Sequence, residues 1–115
     1  MKELAKVFKA LSDETRLRTL SVLTEKECCV CEVMQALEIS QTRASRNLKL
    51  INDAGFLKVR TDGLYTLYSL RDTGDGFHAE LLGAVKKEMQ ASKTAKKDIL
   101  RLMKSKRVGP GCVPS

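Results

Sequence analysis

The sequence predicts an α+β domain, mostly helical with a single β-hairpin. Apolar residues recur at helical spacing from Leu4 to Leu37 and again from Ala44 to Ile51. The stretch FLKVRTDGLYTLYSL alternates apolar and polar residues on both sides of Asp62-Gly63, a dipeptide that favours a tight hairpin turn. At 115 residues the chain has room for one domain around one core.

The elements follow in order. Leu4, Val7, Phe8 and Leu11 place a helix over residues 2–10. Ser12-Asp13-Glu14 interrupts it, and Ser12 or Asp13 can cap a second helix carrying Leu17, Leu20, Val22 and Leu23. After the charged break from Thr24 to Glu27, CVCEVMQALEI resumes the helical pattern through Val30, Val33, Met34 and Leu37. Glu38-Ile39-Ser40 makes a short turn, and Ser40 is a good N-cap for QTRASRNLKLINDAG. There Ala44, Leu48 and Ile51 form a buried stripe, with Leu50 and Ala54 at its edge and Gly55 as the stop. Strands are expected over residues 56–61 and 64–70, then a loop with Asp72, Gly74 and Gly76. One long helix is expected over 77–105, with an apolar stripe of Leu81, Leu82, Val85, Met89, Ile99, Leu102 and Met103. The domain is expected to span residues 1–106, and residues 107–115, with both prolines and Cys112, to form a flexible tail.

Two short helices joined by a three-residue turn and followed by a hairpin are the parts of a winged helix-turn-helix. Such a domain lays its second helix in the DNA major groove, about 12 Å wide, while the preceding helix braces it. Gln41 suits adenine, Arg43 and Arg46 suit guanine, and Thr42 suits a thymine methyl. Ser45 and Lys49 can hold phosphates. Arg60, just before the hairpin turn, is placed for the neighbouring backbone or minor groove. The competing reading is a polar helix face that only meets water. The net charge of +7 does not decide between them, because residues 86–107 alone carry nine Lys/Arg against two Asp/Glu.

Three of the four cysteines crowd into ECCVCEV, residues 27–33. No apolar run approaches the roughly 20 residues that span a bilayer, and the amphipathic N-terminus is unlike a signal peptide. The cytoplasm is therefore expected, where clustered thiols indicate metal or redox chemistry more than disulfides. Thiolates select soft ions, and three sulfurs suit trivalent arsenic or antimony. Zinc would want four ligands, and the single histidine, His78, is distant in sequence. Cadmium, lead, zinc and thiol oxidants stand as alternatives, and burial of some cysteines as small hydrophobes is the bland reading, above all for Cys28. With one histidine there is no nucleophile–base pair, and there is no glycine-rich phosphate loop, so an enzyme is not expected.

SDETRLRTL, ECCVCEVMQALEISQTRASRNLKLINDAGFLKVR and DGLYTLYSL resemble the ArsR/SmtB family of metal-responsive repressors over roughly residues 3–85. Ser40-Gln41, Ser45 to Leu48 with Ile51, and Ala54-Gly55 match the family's pattern. Thr42 stands where the family has proline and Asn47 where it has histidine, changes placed to alter operator preference. The arsenic branch carries Glu-Leu-Cys-Val-Cys-Asp-Leu-Cys. By that resemblance Cys29 and Cys31 are the principal thiolates, Met34 replaces the third cysteine, and Cys28 or Cys112 completes the set. The resemblance implies a repressor of a metalloid-resistance operon that leaves its operator when arsenite or antimonite binds. A homodimer joined through the first and last helices would read two half-sites. The family's zinc site on the last helix is incomplete here. Residues i and i+2 of a helix point about 200° apart. Capture by Cys29 and Cys31 is thus expected to unwind the first turn of their helix and misplace the DNA reader.

Overall fold

A computed structural model of the chain describes residues 1–72 and 74–108. Four helices come first: α1 (Lys2–Leu11), α2 (Glu14–Glu25), α3 (Val30–Leu37) and α4 (Gln41–Asp53). The strands β1 (Leu57–Asp62) and β2 (Tyr65–Leu70) follow, then α5 (Phe77–Met89) and α6 (Lys93–Lys104). Local chemistry explains the boundaries. The Asp13 carboxylate accepts from the Arg16 amide to start α2, and the Ser40 hydroxyl accepts from the Arg43 amide to start α4. Gly55, at φ +91°, ends α4 in a conformation that costs glycine little.

The strands pair antiparallel, from Leu57 opposite Leu70 to Asp62 opposite Tyr65, so the turn falls at Gly63-Leu64. The hairpin has a third, one-residue partner. Cys28 donates its amide to the Tyr68 carbonyl at 2.9 Å, and the Tyr68 amide returns the bond at 2.8 Å. The start of the cysteine segment is thereby sewn to the wing. The core forms where α2, α3, α4 and α6 converge on Leu20, Leu37, Leu48, Ile51 and Leu102. Each such side chain contributes roughly 1.5–3 kcal/mol by leaving water. Among the described residues no helix is long and apolar enough to cross a membrane.

The expectation of one helix over 77–105 is corrected. The chain breaks between Met89 and Lys93, where the Ser92 hydroxyl accepts from the Ala95 amide at 3.1 Å and caps a new helix. The break lets α6 fold back on its own domain and bury Ala95, Asp98 and Leu102, whereas α5 buries no residue fully. Of the predicted stripe, Leu102 is thus buried within the chain and Leu81 and Leu82 pack partly against the same core, whereas Met103 is exposed. Lys106 and Arg107, at the boundary of the expected tail, lie against α3, and residues 109–115 fall outside the described part.

Asp98 is fully buried and paired. It accepts from Arg18 through both oxygens at 2.8 Å and from Arg101 at 2.7 Å. The hydrogen bond to Asp98 holds the Arg18 guanidinium above its ordinary pKa despite partial burial. Both arginines also donate to the last turn of α3, Arg18 to the Leu37 carbonyl at 3.0 Å and Arg101 to the Ala36 carbonyl at 2.8 Å. Those carbonyls lack partners inside the helix. Cys28 sits in the same main core, and its sulfur donates to the Lys26 carbonyl at 3.3 Å. Burial, aided by the charge of Glu32, pushes its thiol from 9.0 up to about 12.

Two predictions follow from this packing. Asp98→Ala will cost about 2–3 kcal/mol of unfolding free energy in urea titrations. That is less than the roughly 3–5 kcal/mol of a fully buried pair, because both guanidiniums keep partial access to water. The stability supplied by the neutral Cys28 thiol is complete below pH 9 and is lost as pH rises toward 12, since the unfolded chain gives up that proton first. Urea midpoints measured from pH 7 to 11 will therefore fall faster for the native sequence than for Cys28→Val.

Candidate nucleic-acid interface and thiol site

Helix α4 turns Ala44, Leu48 and Ile51 inward, each fully buried. Gln41, Thr42, Arg43, Ser45, Arg46 and Lys49 are all exposed, so the predicted reading face is one continuous polar surface. Two members also make contacts within the domain. Arg43 donates to the Thr15 hydroxyl of α2 at 3.0 Å, and Lys49 pairs with Asp53 at 3.0 Å. Asn47 is not on this face. It is buried, and its Nδ2 finds no acceptor among the described residues.

Arg60, on β1, lies in a two-pronged pair with Glu27 at 2.9 and 2.6 Å. The hydrogen bond to Arg60 holds the Glu27 carboxyl below its usual range. At the other end of α4, His78 reaches the Ala54 carbonyl at 2.8 Å. A Cβ at residue 55 would lie 3.0 Å from its Nε2, so glycine also serves this close approach. His78 therefore ties α5 to the end of α4.

The thiols are placed by where α3 begins. Cys29 is the N-cap, with extended backbone at φ −89° and ψ 171°, and helical geometry starts only at Val30. The predicted opposition of Cys29 and Cys31 is corrected accordingly, because the 200° rule applies only when both residues are helical. Their sulfurs lie 2.9 Å apart, fully buried beside Leu67 and Tyr65 of β2. No unwinding of α3 is needed to bring them together. Cys28 faces the main core instead, and Cys112 lies outside the described residues. Among the described residues, no three of the His, Cys, Asp and Glu side chains converge to hold a metal ion.

Around the pair stand groups that sequence reasoning missed. Glu32 is buried, and it accepts from the Cys29 amide at 3.0 Å and from Arg107 at 2.9 Å. It also pairs with Lys26. Burial pushes its carboxyl up, yet Lys26, the Cys29 amide and Arg107 together hold it below the ordinary range. Gln35 donates to the Lys106 carbonyl at 2.7 Å and accepts from the Lys106 amide at 3.1 Å. The Cys31 thiol donates to that same carbonyl at 3.6 Å. The Cys29-x-x-Glu32 spacing, that of a capping box with cysteine in the place of serine, was the available signal for Glu32. Nothing local marks Gln35.

Residues 13–59 match the family described as bacterial regulatory protein, arsR family. The CadC homolog of Staphylococcus aureus, a cadmium resistance regulator, is 46% identical over 71 residues, 61% of this chain and 59% of that one. The arsenic resistance regulator ArsR1 of Pseudomonas putida is 48% identical over 65 residues, 56% of this chain and 51% of that one. An uncharacterized regulator of Methanocaldococcus jannaschii, MJ1325, is 36% identical over 59% of this chain and 78% of its own length. The chain spans between half and three fifths of the length of the first two. The homodimeric winged helix-turn-helix DNA-binding domain Mb0332 of Mycobacterium bovis superposes with a TM-score of 0.64 at 26% identity, over 79% of this chain and 83% of that one. The matched stretch runs from the cap of α2 into β1, the part that positions both the polar face and the sulfur pair, and the chain belongs to the ArsR/SmtB family of regulators.

Proposed function

We propose that the protein is a homodimeric transcriptional repressor of a metalloid-resistance operon. It holds operator DNA while its thiols are empty and leaves when trivalent arsenic or antimony binds Cys29 and Cys31. The observation that carries this reading is the sulfur pair, 2.9 Å apart at the cap of the helix that precedes α4. In capture, each thiol gives its proton to a hydroxide leaving arsenous acid as water, and one As–S bond replaces one As–O bond. Two sulfurs come preassembled. For the third, Cys112 stands five residues beyond Arg107, within roughly 17 Å of extended chain. Cys28 is the weaker candidate, since its thiol is buried in another cluster and holds its proton tightly.

On DNA, Gln41, Thr42, Arg43 and Arg46 face the bases, while Ser45, Lys49 and Arg60 meet phosphates. The exposed Leu4 and Phe8 of α1 and Phe77 of α5 support a two-fold interface, with Phe8 and Phe77 already edge to face at 6.2 Å. The kinship to a cadmium resistance regulator favours one second reading, in which cadmium, or by the same soft chemistry lead or zinc, is the inducer. Thiol oxidation of the close pair is its redox counterpart. Counting sulfur neighbours by X-ray absorption separates a three-sulfur metalloid from a four-coordinate metal.

Operator affinity measured by fluorescence anisotropy tests the DNA surface. Arg46→Ala will weaken binding by about 1–3 kcal/mol, or roughly 5- to 150-fold, if it reads a guanine. In the same assay Cys29→Ser and Cys31→Ser will bind the operator like the native protein but will not release it when arsenite is added. Normal release by both variants would place the sensor elsewhere.

A further inference from the structure

We propose that Gln35 is a positioning residue for the thiol site. It docks the segment after α6 as a cover over Cys29 and Cys31, and so sets how fast a thiophilic reagent reaches them. The inference rests on the reading of that pair as the capture site.

Both sulfurs are buried, so some part of the structure must move before anything binds them. Regular structure carries and borders the pair. Leu67 is fully buried on the hairpin, Cys31 belongs to α3, and Cys29 is tied through its amide to Glu32. The segment from Ser105 to Arg107 also borders the pair, where the Cys31 thiol meets the Lys106 carbonyl at 3.6 Å. Lys106 and Arg107 are exposed, and the segment is held by polar contacts at the surface. The Gln35 amide makes two of them, giving and receiving one hydrogen bond with the Lys106 backbone, and a third anchors the amide itself to the Cys31 carbonyl at 3.0 Å. Arg107 adds the bond to Glu32 and lies 6.0 Å from the centroid of the Tyr65 ring. Segments held this way open in local fluctuations that leave the core intact.

Capture also acts on the cover from beneath. The Cys31 thiol donates to the Lys106 carbonyl, and that bond requires the sulfur proton. Once the proton leaves and the sulfur binds an arsenic atom or a metal, the donor is gone, and carbonyl lone pairs face an electron-rich sulfur. The docked cover therefore favours the protonated, empty pair, and bound ligand favours the undocked cover.

The test uses the full chain carrying Cys112→Ser and the rate at which 5,5′-dithiobis(2-nitrobenzoate) modifies each remaining cysteine, mapped by mass spectrometry. Gln35→Met keeps the length of the side chain and removes both bonds to Lys106 together with the amide's own anchor to the Cys31 carbonyl. It is expected to speed modification of Cys29 and Cys31 about tenfold, the effect of losing two modest hydrogen bonds, with Gln35→Ala behaving alike. Cys28, in the main core, is expected to stay unmodified in every variant. An unchanged rate in Gln35→Met would overturn the proposal, and so would equal acceleration at Cys28, which would mean that opening is global. No metalloid enters this readout, so it stands apart from the release test on Cys29→Ser and Cys31→Ser.

Discussion

The two backbone hydrogen bonds between Cys28 and Tyr68 determine where α3 can begin. Residue 28 is held extended against β2, so Cys29 must leave the strand geometry and cap the helix, and regular α-structure starts one residue later. A helix starting one turn earlier would put the sulfurs of Cys29 and Cys31 on opposite faces. The hairpin therefore does more than pair with itself. Its second strand sets the register that brings two thiols together, and Leu67 of that strand forms the floor beneath them.

Helix α3 is then gripped at both ends by the C-terminal part of the chain. At its last turn, Arg18 and Arg101, fixed on the buried Asp98 of α6, satisfy the Leu37 and Ala36 carbonyls. At its first turn Glu32 holds Arg107, and further along Gln35 holds Lys106. Buried carboxylates are costly unless fully paired, and both Asp98 and Glu32 meet that condition by joining distant segments. Chemistry at the sulfurs and the geometry of the turn into α4 thus share one rigid helix and one retaining helix. For the proposed function, that shared scaffold offers a more direct link between capture and DNA reading than melting of α3.

The polar face of α4 is ready-made, but Arg43 and Arg60 are engaged within the domain, by Thr15 and Glu27. A guanidinium has five donors, and an exposed pair such as Arg60 with Glu27 is easily exchanged for phosphate. Because Glu27 precedes the thiol segment by one residue, the wing arginine and the sulfur pair are also neighbours in the fold.

The sequence by itself determined α1 to α4, the hairpin and the inward stripe of α4, because period, caps and turn residues act over a few neighbouring positions. It also marked the polar face of α4 and the cysteine cluster, since these are runs of side chains on one element. Only the tertiary structure decided the rest. It broke the last helix at Gln90 to Ser92 so that Leu102 and Asp98 could reach the core, turned Asn47 inward, and sent Cys28 to a different cluster from Cys29 and Cys31. The physical reason is range. Arg18 meets Asp98 across 80 positions, Gln35 meets Lys106 across 71, and Glu27 meets Arg60 across 33. Local spacing carries no trace of pairings formed by chain segments so far apart.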